Sequence, residues 1–398
     1  MARVAIVGVG AIGGVLAALL NVAGRHQVVL CTRRPIRNLT VETPEGLVTV
    51  HARNLTDPSL AGPVEWVFVA TKTYDAKGAA AWLPSLCQHS APVAIVQNGV
   101  EHRERFAEYV NPELIVPVII DCPVERRDSG IVRQRGIAKM QLEAGGQGSE
   151  CAQLFEGSNA KVELTNDFLT AAWRKLCINS AGALSALTGK PSGVLKDEAI
   201  GSIALELVGE SVAVGRAEGA QLDDGTAERV LAGYRAQPPD SINSMLADRL
   251  AGRQMEIDAR NGVIVRKGER HGIQTPFNRM TVALLQTLSE VREQNRNGNL
   301  DHSRRRLVDH FGSPYGVSFE FEITASVNSG LRPSAVLMLL AAMIQFFVFG
   351  WSDAHASAAD RQVRRHHCFG RRPFRNMPSR LVLPRWSSYR LKDAKRES

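Results

Sequence analysis

The feature that most constrains this chain is a glycine-spaced loop at its start, Gly8-Val9-Gly10-Ala11-Ile12-Gly13. It is entered from an apolar run over 3–8 and continues into a helical pattern over 11–23. The first glycine of such a loop permits a tight turn, the second lets a pyrophosphate approach the backbone, and the third lets helix and strand pack closely. The helix N-terminus, with unpaired N–H groups and the positive end of the dipole, then faces the phosphates. A turn that needs glycine for its shape alone is the plainer alternative. The position between strand and helix favours a dinucleotide shelf made of Gly8, Val9, Gly10, Ala11, Ile12 and Gly13.

Apolar runs near 27–32, 47–52, 66–70, 93–97 and 114–119 alternate with helix-like segments. Strand and helix in turn predict a parallel sheet covered on both faces. Beyond about Asn166 the pattern changes to helical periodicity over 167–187, 196–218, 223–235, 241–270 and 276–292, broken by Gly, Pro and Asp. The expected architecture is therefore an α/β N-terminal Rossmann domain over 1–165 followed by an all-α domain over 166–293.

Residues 294–398 read as an appended tail. The chain carries a formal charge of +8, from 48 Lys/Arg against 40 Asp/Glu. Residues 352–398 hold twelve Lys/Arg and four Asp/Glu, which is all of the excess and leaves 36 of each for 1–351. A neutral body excludes a nucleic-acid footprint on the folded part, and the basic end, expected to be disordered, contains no recognisable binding module. Within the tail, 335–351 is apolar except for Gln345 and Gly350, at the short limit for crossing a bilayer. The charge that follows it opposes a membrane anchor, because a cytosolic body would leave those arginines on the far side. A buried or partner-facing helix is the favoured reading, with the anchor kept open.

Six widely spaced cysteines form no CxxC pair and no zinc-like group with the ten histidines, so neither a disulfide scaffold nor a metal site is expected. The first residues are too short a run for a signal-peptide core, which points to a cytoplasmic protein.

The end of the second apolar run discriminates between dinucleotides. An NAD site usually places Asp or Glu there to accept from the ribose hydroxyls, whereas this chain reads Cys31-Thr32-Arg33-Arg34. Arginines in place of an acid favour a 2′-phosphate, so NADPH is the expected cofactor and Arg33 its candidate contact; two solvated loop arginines are the alternative.

Several separated motifs together resemble one family, the 2-dehydropantoate 2-reductases or ketopantoate reductases, over roughly 3–290. They are the glycine loop extended by Gly14, Thr71-Lys72-Thr73, Gln97-Asn98-Gly99-Val100, Trp173-Arg174-Lys175-Leu176 with Asn179, Ser244-Met245-Leu246 with Asp248, Glu256-Ile257-Asp258, and Asn261-Gly262. The resemblance implies an active site in the cleft between the two domains and reduction of a small 2-oxo acid, 2-dehydropantoate, to pantoate. It implies Lys175 as proton donor, Lys72, Asn98 and Glu256 as cofactor contacts, and Asn179 and Ser244 as substrate contacts beside Lys175. A homodimer is left open.

Residue geometry can be set beside these roles. Lys175 and Asn179 are four apart and project from one helix face. An ammonium near ~10.4 would have to be lowered to return protons quickly at neutral pH. Ser244 and Glu256, twelve apart, fall roughly 120° out of phase on an unbroken helix, so a bend near Gly252, or a cleft that reaches round the helix, is expected if both serve one cleft. Three positions depart from the family: Ala183 and Ser192 stand where it has asparagine, as does Ser241. These losses keep open a reductase of another 2-oxo acid, and the apolar run and basic tail keep open an NADP-binding regulator or membrane-tethered binding protein without turnover.

Overall fold

The computed structural model describes the backbone of residues 1–127 and 131–296. The expectations placed on the tail beyond Arg296, including the 335–351 run and the basic end, lie outside the described residues.

Among the described residues, twelve strands form two sheets. They are β1 Ala2–Val7, β2 His26–Cys31, β3 Leu39–Thr43, β4 Gly46–Val50, β5 Arg53–Leu55, β6 Trp66–Val69, β7 Val93–Ile95, β8 Ile115–Asp121, β9 Val124–Arg126, β10 Val132–Gln134, β11 Lys139–Glu143 and β12 Lys161–Thr165. The large sheet runs β12-β11-β8-β7-β6-β1-β2-β5, and every pairing in it is parallel except β11 with β8. Its central strands are apolar on both sides because both faces are covered. Val4 and Ile6 point into the cluster beneath α1 (Ala11–Val22), whereas Ala5 and Val7 join the opposite cluster with Leu83, Leu86 and Phe106. That second face is closed by the short helices α2 Ala76–Ala80, α3 Leu83–Leu86 and α4 His102–Phe106; α5, Gly146–Gln153, connects β11 to β12.

One strand expectation needs correcting. The run near 47–52 does not enter the parallel sheet: β4 pairs antiparallel with β3 in a separate sheet of order β4-β3-β10-β9 that packs beside α1. Its strands are short and partly exposed, so they carry little of the apolar signal that marks β1 or β8.

The second half is helical. It contains α6 Phe168–Thr188, α7 Glu198–Ala217, α8 Thr226–Ala236, α9 Ser244–Leu250, α10 Val263–Arg270 and α11 Pro276–Arg296. Side-chain caps set where α6, α7 and α9 begin: Asp167 accepts from the Thr170 amide, Asp197 from Ile200, and Asn243 from Leu246. Trp173, Leu176, Leu207 and Val263, each at most 1% exposed, centre the core of this half. The predicted helix over 241–270 is two helices. Gly252 takes the left-handed region at φ +66°, the chain then crosses as a loop, and a π-helical turn at Asp258–Gly262 leads into α10. That break removes the phase conflict between Ser244 and Glu256. No helix among the described residues is long and apolar enough to cross a membrane.

Candidate active site

Parallel strands deliver their following loops to one edge of a sheet, and here that edge faces α6, α9 and the π turn. The glycine loop follows β1, Arg33 follows β2, Lys72 follows β6, Asn98 follows β7, and Asp121 ends β8. Placement at the carboxyl ends of strands is where open α/β sheets take ligands.

The three glycines of the loop are required for different reasons. Gly8 sits at φ +92°, and a Cβ there would meet the Thr71 backbone nitrogen at 2.7 Å. At Gly13 the added carbon would lie 2.1 Å from the Gly8 carbonyl oxygen. Gly10 differs, because nothing lies within 4 Å of its missing side chain. No neighbour demands glycine at that point, and the open space lies over the uncapped N-terminus of α1. A bare backbone, free amides and empty room suit a dinucleotide pyrophosphate. Arg126 reaches across from β9 to donate to the Val9 carbonyl at 2.9 Å. Arg33 is 87% exposed and approaches Asp75 at 3.5 Å, leaving its guanidinium available to a phosphate beyond β2.

Lys72, Asn98 and Glu256 are brought together. Glu256, 5% exposed, accepts from the Lys72 ammonium at 3.0 Å, the Asn98 amide at 3.0 Å and the Thr73 backbone N–H at 3.0 Å. Burial pushes its carboxyl up, but Lys72 and these donors outweigh that and hold it below the usual range. Lys72 also binds Asp248 at 2.7 Å. Burial works against the Lys72 charge, yet the Glu256 and Asp248 carboxylates raise its pKa. Lys72 comes from the Rossmann half and both acids from the helical half, so this group ties the two halves together. The Asn98-Gly99 turn adds to the tie: Gly99 is at φ +103°, and a Cβ there would meet the Ala259 carbonyl oxygen at 2.8 Å.

A second group forms along α6. Lys175 donates to the Ile120 carbonyl at the end of β8. Burial, helped by the Arg260 guanidinium, lowers its pKa to about 8 against the opposing pull of Asp121, Glu256 and Cys122. Asn179, one turn further along, accepts from Arg260 through Oδ1 at 3.3 Å, and Ser244 accepts from the same guanidinium at 3.4 Å. A small cavity beside Lys175 is lined by Asn98, Gly99, His102, Ile120 and Asn179. His102, with its pKa pushed down to about 3 by burial, is neutral and bonds the Gln97 carbonyl at 3.0 Å, which steadies the turn that carries Asn98.

Sequence reasoning assigned no role to Asp248 or Arg260. Asp248 had a signal, standing four residues after Ser244 and so one helical turn along the same face. Arg260 had none, since only the tertiary fold buries it. Of the three departing positions, Ala183 is buried among Ala186, Met245, Met255, Ile257 and Leu285, and the backbone amide of Ser192 donates to the Ser241 carbonyl at 2.8 Å, a bond that does not depend on either side chain.

A sheet-edge glycine loop facing a half-buried lysine across two joined domains defines the class of two-domain reductases that use a nicotinamide dinucleotide. Comparison with known proteins narrows the class. Residues 4–147 match the family model "Ketopantoate reductase PanE/ApbA", and 167–289 match its C-terminal counterpart. The chain belongs to the ketopantoate reductase family. It is 47% identical over 285 residues to the 2-dehydropantoate 2-reductase of Caulobacter vibrioides, covering 72% of this chain and 98% of the relative. It is 37% identical over 289 residues to that of Mycobacterium tuberculosis, again covering 72% and 98%. Among solved structures, the ketopantoate reductase of Ralstonia eutropha superposes with a TM-score of 0.67 at 31% identity, covering 73% of this chain and 99% of that one.

Proposed function

We propose that this protein reduces 2-dehydropantoate to pantoate with NADPH, a step toward pantothenate and coenzyme A, with Lys175 as the proton donor. The observation that carries the reading is Lys175 itself, an ammonium with a pKa lowered to about 8 in the cleft that faces the glycine loop. Bound NADPH would supply the hydride. The ketone oxygen gains negative charge as its carbon is reduced, and it needs both stabilisation and a proton. The Lys175 Nζ provides both, and a pKa near the working pH lets it be reprotonated between turnovers. Asn179 and Ser244 hold the substrate beside it. Gly8 to Gly13 and Arg33 hold the phosphates, while Lys72, Asn98 and Glu256 line the cofactor side of the cleft. Family membership and the 47% identical relative support the substrate assignment. The reading places the protein in the cytoplasm, with a small 2-oxo acid as its partner, no nucleic acid, and a homodimer as the assembly to test.

The test follows NADPH absorbance with 2-dehydropantoate and a panel of other 2-oxo acids. Highest kcat/KM with 2-dehydropantoate is expected. A higher value with another acid would move the substrate, an outcome motivated by Ala183, Ser192 and Ser241; no turnover of any acid would leave only cofactor binding. Cofactor choice is tested by replacing Arg33 and Arg34 with alanine. NADPH affinity is expected to fall about 10- to 100-fold, the worth of one or two charge-assisted phosphate contacts, with NADH affinity unchanged. Equal losses for both would remove the 2′-phosphate role.

A further inference from the structure

Arg260 is the one buried cation in the cleft that the functional reading leaves unused. It is 2% exposed, and among the described residues no carboxylate pairs with it. Buried charges are ordinarily paired, because an isolated one loses several kcal/mol of solvation. The chain obeys that rule elsewhere: Lys267, 4% exposed, bonds Glu218 at 2.5 Å, and Lys72 has two carboxylates. Burial lowers the Arg260 pKa, yet a guanidinium stays charged at neutral pH. Space has been made for it. Gly182 lies in the middle of α6, and a Cβ there would come within 3.2 Å of Arg260 Nη2 and 2.6 Å of the Tyr234 hydroxyl.

The contacts of the guanidinium are with neutral acceptors. Nη2 donates to the Asn179 carbonyl at 2.8 Å and to Asn179 Oδ1 at 3.3 Å, while Nη1 donates to Ser244 Oγ at 3.4 Å. The Nε–H has no partner. A guanidinium can only donate, so these contacts fix the sense of both neighbours. With Oδ1 turned toward Arg260, the Asn179 Nδ2 hydrogens face away from it. With its oxygen accepting, the Ser244 hydroxyl must send its proton elsewhere. Ser244 is exposed, and Asn179, one helical turn from Lys175 along α6, is half-buried, so both can present donors to the open side.

We propose that Arg260 is a positioning residue for the substrate carboxylate: lying behind Ser244 and Asn179, it turns both into donors toward the cleft and supplies the positive charge that selects a 2-oxo acid over its neutral analogues. The proposal rests on the reductase reading. A group of outward donors backed by an unpaired cation matches a carboxylate, which only accepts. Glu256 and Asp248 act on this charge only from beyond pairing distance, so a bound carboxylate would be its direct counter-ion, and the cost of burying it becomes selectivity.

The experiment compares 2-dehydropantoate with its carboxamide as substrates for the wild type and Arg260→Met. The wild type is expected to favour the acid by about 100-fold in kcat/KM, and the variant by less than about tenfold, with the loss in KM and NADPH affinity kept. A folded variant that retains the wild-type preference overturns the proposal. Should Arg260→Met fail to fold, Asn179→Asp supplies the missing carboxylate to the guanidinium. Its melting temperature is expected to hold while the acid preference collapses; a preserved preference overturns the proposal. If the wild type reduces neither compound, the reductase reading fails separately. Quenching of bound NADPH fluorescence by 2-dehydropantoate then decides the role of Arg260, with equal binding to wild type and variant counting against it.

Discussion

Replacing Lys175 by alanine is expected to lower kcat for 2-oxo acid reduction by about 10³-fold, the usual worth of a positioned general acid. NADPH affinity should be unchanged, because Lys175 stands on the helical side of the cleft and the shelf lies at the N-terminus of α1. The pH dependence gives the sharper test. Reduction needs the protonated amine, so kcat/KM should be flat below the Lys175 pKa of about 8 and fall as pH rises through it. The groups that set this value are the surrounding protein that desolvates it, Arg260 on the π turn, Asp121 and Cys122 at the end of β8, and Glu256. Burial pushes the Cys122 thiol up to about 12, so it stays neutral across the range and contributes no second step. In the alanine variant the alkaline limb should vanish along with the rate. A variant that keeps the limb would assign it to another group and remove Lys175 from proton transfer.

The second large effect is expected at Gly13. Alanine there brings a carbon to 2.1 Å from the Gly8 carbonyl oxygen, which belongs to backbone and cannot swing aside. Helix α1 and the loop must separate, at a cost of about 1–3 kcal/mol typical of overpacking, and the phosphate shelf deforms with them. Gly13→Ala should therefore lose both melting temperature and NADPH binding. Gly10→Ala is the contrasting case. Its φ of −85° is not left-handed, although its ψ of −149° lies past the edge of the β region, and its methyl would meet nothing within 4 Å. It should lose much less melting temperature than Gly13→Ala and still bind NADPH poorly, because the methyl occupies the space a pyrophosphate would take. If Gly10→Ala binds NADPH normally, the open space over α1 is not the phosphate site.

The class of fold was legible because its signals are local. A strand buried on both faces, as β1 is, must be apolar throughout, and the turn into α1 must be glycine for reasons confined to a few neighbouring atoms. Helix α6 was legible from its period, and with it the shared face of Lys175 and Asn179. The weaker elements were not legible for the same reason. β5 has three residues and β12 is largely exposed, so neither shows an alternation, and β4 reads like any short strand although it belongs to a different sheet. The break after α9 was legible only as a conflict of phase between Ser244 and Glu256, because a single glycine in a helical pattern does not announce a left-handed turn.

By itself, then, the sequence determined the glycine loop and the two-domain order, each written in residues close together along the chain, and it offered the candidate lysine through the order and spacing of separated motifs. Tertiary structure alone decided what surrounds them. The Lys175 pKa depends on burial between α6 and β8 and on the charges of Asp121, Arg260 and Glu256. Lys72 finds Asp248 and Glu256 across 176 and 184 residues of sequence. Arg260, unremarkable in the sequence, becomes an unpaired buried charge only because a π turn carries it behind Ser244 and Asn179. Desolvation and Coulomb energy depend on distance in space, which spacing along a chain does not encode.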